Sequence, residues 1–90
     1  MKLYEAIAKM RELTARGQAF SFSFMSYNSS MNTTEGVVDV YKAVLRKKAD
    51  AKSYRNADIL MPYYDYDLLE ARQFYMPCLM SFNNEKITMR

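Results

Sequence analysis

The polar and apolar positions of this chain fall into two periods, one helical and one strand-like, and the change between them comes at a glycine. Leu3, Ala6, Ile7, Met10 and Leu13 recur at three- and four-residue spacing, which places them on one stripe of a helix. Lys2, Glu5, Lys9, Arg11, Glu12 and Arg16 take the other side, and Glu5 and Lys9 stand in the favourable order for an i, i+4 ion pair. Arg16 followed by Gly17 reads as a stop, a cation near the negative helix end and then a residue free to turn left-handed. The spacing predicts a helix over residues 2–16 whose apolar stripe covers a sheet.

After Gly17 the period falls to two. Phe20-Ser21-Phe22-Ser23-Phe24 alternates strictly and predicts a strand over 18–27 with its phenylalanines in the core. Beyond Phe24 the parity breaks at Met25 and Tyr27, so either a bulge re-aims the strand end or that end is buried on both sides. Residues 26–36 are too rich in Ser, Asn and Thr for a buried element and read as a long polar loop. The run from Val37 is β-branched and aromatic and predicts a second strand over 37–46, with Val38, Val40 and Val44 on one face and Asp39 and Tyr41 on the other. A helix over 37–48 also fits Val40, Val44 and Lys47, but Gly36 and the β-rich composition tip the reading toward strand.

The last stretch states a register as well as a period. Phe74, Met76, Cys78, Met80 and Phe82 alternate, and Asn83-Asn84 supplies a two-residue turn, because Asn tolerates the left-handed backbone that a type I′ turn needs. That turn sets Phe82 against Glu85, Met80 against Ile87 and Cys78 against Met89, and predicts paired strands over 73–82 and 85–90. Pro77 cannot donate to a ladder and marks an edge or a bulge. Pro62 predicts an irregular connection or a short turn before it, and Asp67 with Glu70 resembles a cap for one helical turn over 68–71. The whole reads as one α+β domain, 1–90: an N-terminal helix packed on an antiparallel sheet of about four strands.

Composition narrows the chemistry. The 90 residues are 50% hydrophobic and 26% charged, an ordinary globular balance that excludes a disordered chain. No apolar run approaches the ~20 residues that span a bilayer, and Met1-Lys2-Leu3-Tyr4-Glu5 turns charged before a signal core forms, so a cytoplasmic location is expected. One cysteine excludes an internal disulfide, and the absence of histidine removes the commonest metal ligand and general base. Cys78 is expected to be a buried small hydrophobe, and Ser29 and Ser30 have no base beside them. The chain is therefore not expected to be an enzyme, and no cofactor or small-molecule ligand is indicated.

Three constellations remain. Asp58, Asp65, Asp67 and Glu70 match no cation-binding loop and read as solvated carboxylates and a cap, so no metal is expected. Lys42, Arg46, Lys47, Lys48, Lys52 and Arg55, with Tyr54 among them and Tyr41 nearby, could neutralise phosphates and stack on unpaired bases; the net charge of +3 is compatible with this. Tyr63, Tyr64 and Tyr66 suggest protein contact, since tyrosine is enriched at interfaces.

The segments GQAFSFSFMSYN (17–28), EGVVDVYKAVLRK (35–47) and RQFYMPCLMSFN (72–83) resemble small uncharacterised proteins encoded by prophages and other mobile elements of Bacteroides-type gut bacteria. The resemblance implies a phage or mobile-element origin and either a virion or assembly component or a small host-takeover factor. It assigns no activity and no site residue. The expected function is a non-enzymatic structural or protein-interaction module that self-associates or docks on a larger assembly. The alternative is a small basic nucleic-acid-binding protein using the 42–55 segment.

Overall fold

The computed structural model describes residues 1–28, 33–47 and 60–88, with the side chains of 27, 28 and 33–35 left aside. Helix α1 (Leu3–Ala15) is followed by β1 (Phe20–Asn28), β2 (Thr33–Leu45), β3 (Leu60–Asp65), β4 (Glu70–Tyr75), a 3₁₀ turn (Met76–Cys78), β5 (Leu79–Phe82) and β6 (Glu85–Lys86). The strands form one sheet in the order β4-β3-β2-β1-β5-β6, antiparallel at every ladder. The class is α+β, with six strands among the described residues in place of about four. No helix among the described residues is long and apolar enough to cross a membrane.

The stripe of α1 is what the helix buries: Ala6, Ile7 and Met10 lie in the core and Leu3 and Leu13 pack against it. The helix stops where Arg16 and Gly17 predict. Gly17 takes φ 72°, its N–H donates to Thr14 O at 3.0 Å, and the Gln18 N–H donates to Leu13 O at 2.8 Å, which satisfies the last carbonyls. The ion pairs differ from expectation, because Lys9 and Arg16 both approach Glu12, at 3.9 and 2.9 Å, and Glu5 takes no part.

Phe20, Phe22 and Phe24 are buried, and β2 lays Val38 and Val40 against them. The register then slips, since Phe22 opposes Val40 while Phe20 opposes Ala43, so β2 carries one extra residue. This bulge swings the inward set of β2 to Ala43 and Leu45 and turns Val44, expected beside Val40, to the other face. A second slip, between Ser26 opposite Gly36 and Tyr27 opposite Thr34, also lies in β2, where Gly36 adopts φ 104°. The β1–β2 ladder runs on to Asn28 opposite Thr33, so most of the expected 26–36 loop is strand. The helical alternative for 37–48 fails as far as Leu45; Lys48 lies outside the described residues.

The two additional strands arise where an irregular connection was expected. Pro62 is tolerated in β3 because its carbonyl, and so its missing N–H, points toward β2, which ends opposite Tyr63; the Arg46 N–H donates to Pro62 O at 2.9 Å. Asp67 does not cap a helical turn. Asp65, only 4% exposed, accepts the N–H groups of Asp67 at 2.9 Å and Leu68 at 3.1 Å, and the chain reverses through 66–69 into β4.

The strand expected over 73–82 is broken in two by the turn at Met76–Cys78, which contains Pro77. Its first half pairs with β3 and its second with β1. Only three residues join them, although β3, β2 and β1 lie between β4 and β5 in the strand order. The sheet must therefore curl into an open barrel. Phe74 of β4 accordingly meets Phe22 and Phe24 of β1, with ring centroids 5.0 and 5.5 Å apart. A bulge in β5, between Ser81 opposite Ser23 and Leu79 opposite Phe24, puts Leu79 and Phe82 inward and leaves Met80 40% exposed. Cys78 is half-buried in the turn, where a buried strand position was expected.

The final hairpin keeps its expected register. Asn83 and Asn84 take φ 48° and 69°, Phe82 opposes Glu85, and the Ile87 N–H donates to Met80 O at 2.9 Å. The last strand, expected over 85–90, ends at Lys86; Met89 lies outside the described residues.

Candidate functional site

The two edges of the sheet end differently. Beyond β6, the Thr88 N–H donates to Met1 O at 2.7 Å and the Leu3 N–H to Thr88 O at 3.3 Å, so the segment leading into α1 covers that side. At the other end, no described strand pairs with the outer side of β4, and Glu70, Ala71, Arg72 and Gln73 are exposed. Glu70 lies opposite Asp65 and Arg72 opposite Tyr63, which places both charges on one face of the strand. Neither makes an ion pair with a described residue.

The turn before this edge is apolar and held in shape. Leu68 is exposed, and Leu69 is 72% exposed at φ 55°, a left-handed conformation that costs a branched residue about 1–2 kcal/mol. The Asp65 carboxylate, bonded to two turn N–H groups, fixes this reversal. Tyr64 and Tyr66 meet edge-to-face at 5.2 Å, and Lys42 Nζ lies 5.9 Å from the centre of the Tyr66 ring.

Tyr63 does not belong to a contact surface. It is 0% exposed and packs edge-on against Phe22 at 5.1 Å. Successive strand residues point to opposite faces, so Tyr63 and Tyr64 could not both reach solvent. The Tyr63 hydroxyl has no partner among the described residues. Burial pushes the phenol above its usual range, against the nearby Arg72 charge and together with that of Asp65.

The basic residues separate. Lys42 belongs with Tyr66, whereas Arg46 and Lys47 line a cleft of about 340 Å³ between α1 and the ends of β2 and β3; Lys48, Lys52, Tyr54 and Arg55, with Asp58, lie outside the described residues. Arg11, Thr14 and Ala15 form the helix wall, and Leu45, Met61 and Pro62 complete the lining. Thr14 Oγ1 accepts the Leu45 N–H at 3.0 Å and ties helix to strand. Arg11 was not among the sequence candidates, because its position signals only a solvent-facing helix side. Among the described residues no group of three or more Cys, Asp and Glu could hold a metal ion.

Neither a family model, nor a curated protein, nor a solved structure matches the chain.

Proposed function

We propose that the protein is a non-enzymatic structural module that self-associates through the outer edge of β4, two copies pairing antiparallel about a two-fold axis. The observation that carries the reading is an edge that no described strand covers, bearing two opposite charges without ion-pair partners among the described residues. Glu70 faces the like charge of Asp65 across the ladder, an unfavourable pairing, and Arg72 has no carboxylate partner among the described residues. With the axis at Ala71, Glu70 of each copy lies across from Arg72 of the other, so one contact made twice answers both. The edge N–H and C=O groups would complete a ladder, and the second copy would draw Leu68 and Leu69 away from water. Tyr64, opposite Ala71 on the neighbouring strand, and Tyr66, in the turn before β4, flank this edge. A mobile-element origin, which the resemblance to prophage proteins implies, suits such a building block.

Sedimentation velocity should give a dimer, Arg72→Glu should give a monomer, and the exchanged pair Glu70→Arg with Arg72→Glu should restore the dimer. A strict monomer at every concentration, or a dimer indifferent to Arg72→Glu, would sink the reading. A second reading, nucleic-acid binding by the 42–55 segment, keeps the support of Arg46 and Lys47, which Arg11 joins at the cleft. It requires an affinity for DNA or RNA that falls steeply with salt.

A further inference from the structure

We infer that the cleft between α1 and the ends of β2 and β3 is a binding site for an organic phosphate with a compact apolar body, a nucleotide being the plainest case. The inference is independent of the β4 edge, and it rests on the second reading only where the nucleotide is a unit of a strand.

Charge comes first. Arg11, Arg46 and Lys47 converge from two elements, no carboxylate among the described residues lines the cleft, and none of the three makes an ion pair with a described residue. The nearby Glu12 is already engaged by Lys9 and Arg16. Three cations held together repel one another, and an anion between them removes that cost. A phosphate, with more negative charge than a carboxylate and oxygens spaced for the guanidinium fork, answers two arginines and a lysine best.

The rest of the lining sets the body of the ligand. Ala15, Leu45, Met61 and Pro62 offer apolar surface with no side-chain oxygen or nitrogen, and Met61 is a side chain that adapts to a flat group. Inorganic phosphate alone would leave this surface wet. The walls are preformed, because the Thr14 hydroxyl holds the Leu45 N–H and the Pro62 carbonyl holds the Arg46 N–H. A volume of about 340 Å³ is at the small end of ligand sites and suits one nucleotide-sized group, whereas a duplex could not enter.

The test is fluorescence anisotropy of a short fluorescein-labelled oligothymidylate, with AMP as competitor, on the full chain at low and rising salt. The oligonucleotide should bind, and Arg11→Gln and Arg46→Gln should each weaken it roughly tenfold or more, the loss of a charge-assisted contact. Lys86→Gln, an exposed charge on β6, should change it less than about twofold. Both arginines are exposed, so unchanged melting temperatures will show that the variants fold. Displacement by AMP identifies a free nucleotide as sufficient; binding without displacement identifies the strand as the source. If the oligonucleotide does not bind at low salt, or if binding survives Arg11→Gln and Arg46→Gln, the cleft is not the site, and in the latter case nucleic-acid binding elsewhere on the chain still stands.

Discussion

The β4 and β6 edges terminate the same sheet, but the chain treats them in opposite ways. β6 is two residues long, and directly after it Ile87 enters the core and Thr88 pairs with the segment leading into α1. β4 is six residues long, lies between two tight reversals, and has no described strand or helix over its outer side. The difference teaches that an edge is closed by connectivity before it is closed by composition. The start of α1 and the end of the final hairpin meet beside β6, whose own two residues, Glu85 and Lys86, are exposed charges. β4 likewise carries charges, Glu70 and Arg72, but on an edge that no described strand covers, which is the edge proposed above to pair with a second copy.

The largest effect should come from cutting the open edge loose. Phe74 is the buried residue of β4, with its ring against Phe22, Phe24 and Tyr63. Phe74→Ala should cost about 3–5 kcal/mol in urea unfolding, a large part of the stability of so small a domain. A loss under about 1 kcal/mol would mean that β4 is not anchored by the core.

At the closed edge the corresponding weak point is the turn. Asn83 holds φ 48° and its Oδ1 accepts the Ser21 N–H at 3.0 Å. Asn83→Ala loses both features and should cost about 1–2 kcal/mol, while Asn83→Gly, which keeps the backbone freedom, should cost less. Equal losses for the two variants would place the whole effect in the hydrogen bond.

Smallest at neutral pH is Tyr63→Phe, which removes a buried hydroxyl without a described partner and should be neutral or stabilising by up to about 1 kcal/mol. The pH dependence is more telling. The folded-state pKa of Tyr63 lies above the ordinary value of 10.0, so the advantage of the neutral phenol is intact below that pH and is lost as pH rises through the folded value. The parent protein should therefore lose stability in alkali more steeply than Tyr63→Phe. Parallel curves would show that the hydroxyl is not desolvated in solution.

Local pattern was enough for the elements with one dominant signal. The helix stripe and the stop at Gly17, the Phe20-Phe22-Phe24 face and the Asn83-Asn84 turn all depend on the residue types within a few positions, and each stands as the periods predict. Of the candidate surface, Tyr64 and Tyr66 were legible as tyrosines outside the deep core, and Arg46 and Lys47 as a basic cluster. The burial of Tyr63 is not legible locally, because Pro62 makes its segment read as an irregular connection or short turn, where no alternation of faces applies, and only the pairing of β3 sets Tyr63 inward.

What only the tertiary structure decided is where bulges fall and which distant segments meet. Long-range pairing overrode local preference at Pro62, which is strand because β2 ends beside it, and at Met80, which is exposed because a bulge in β5 shifts the parity. A three-residue turn that carries one strand from the β3 side of the sheet to β1 forces the curl, and with it the Phe74 contacts. The same fold leaves the outer side of β4 without a described neighbouring strand and sets Arg11, Arg46 and Lys47 around one cleft. Residue spacing along a chain sets the face on which a side chain lies, but the partner of that face is a property of the closed sheet.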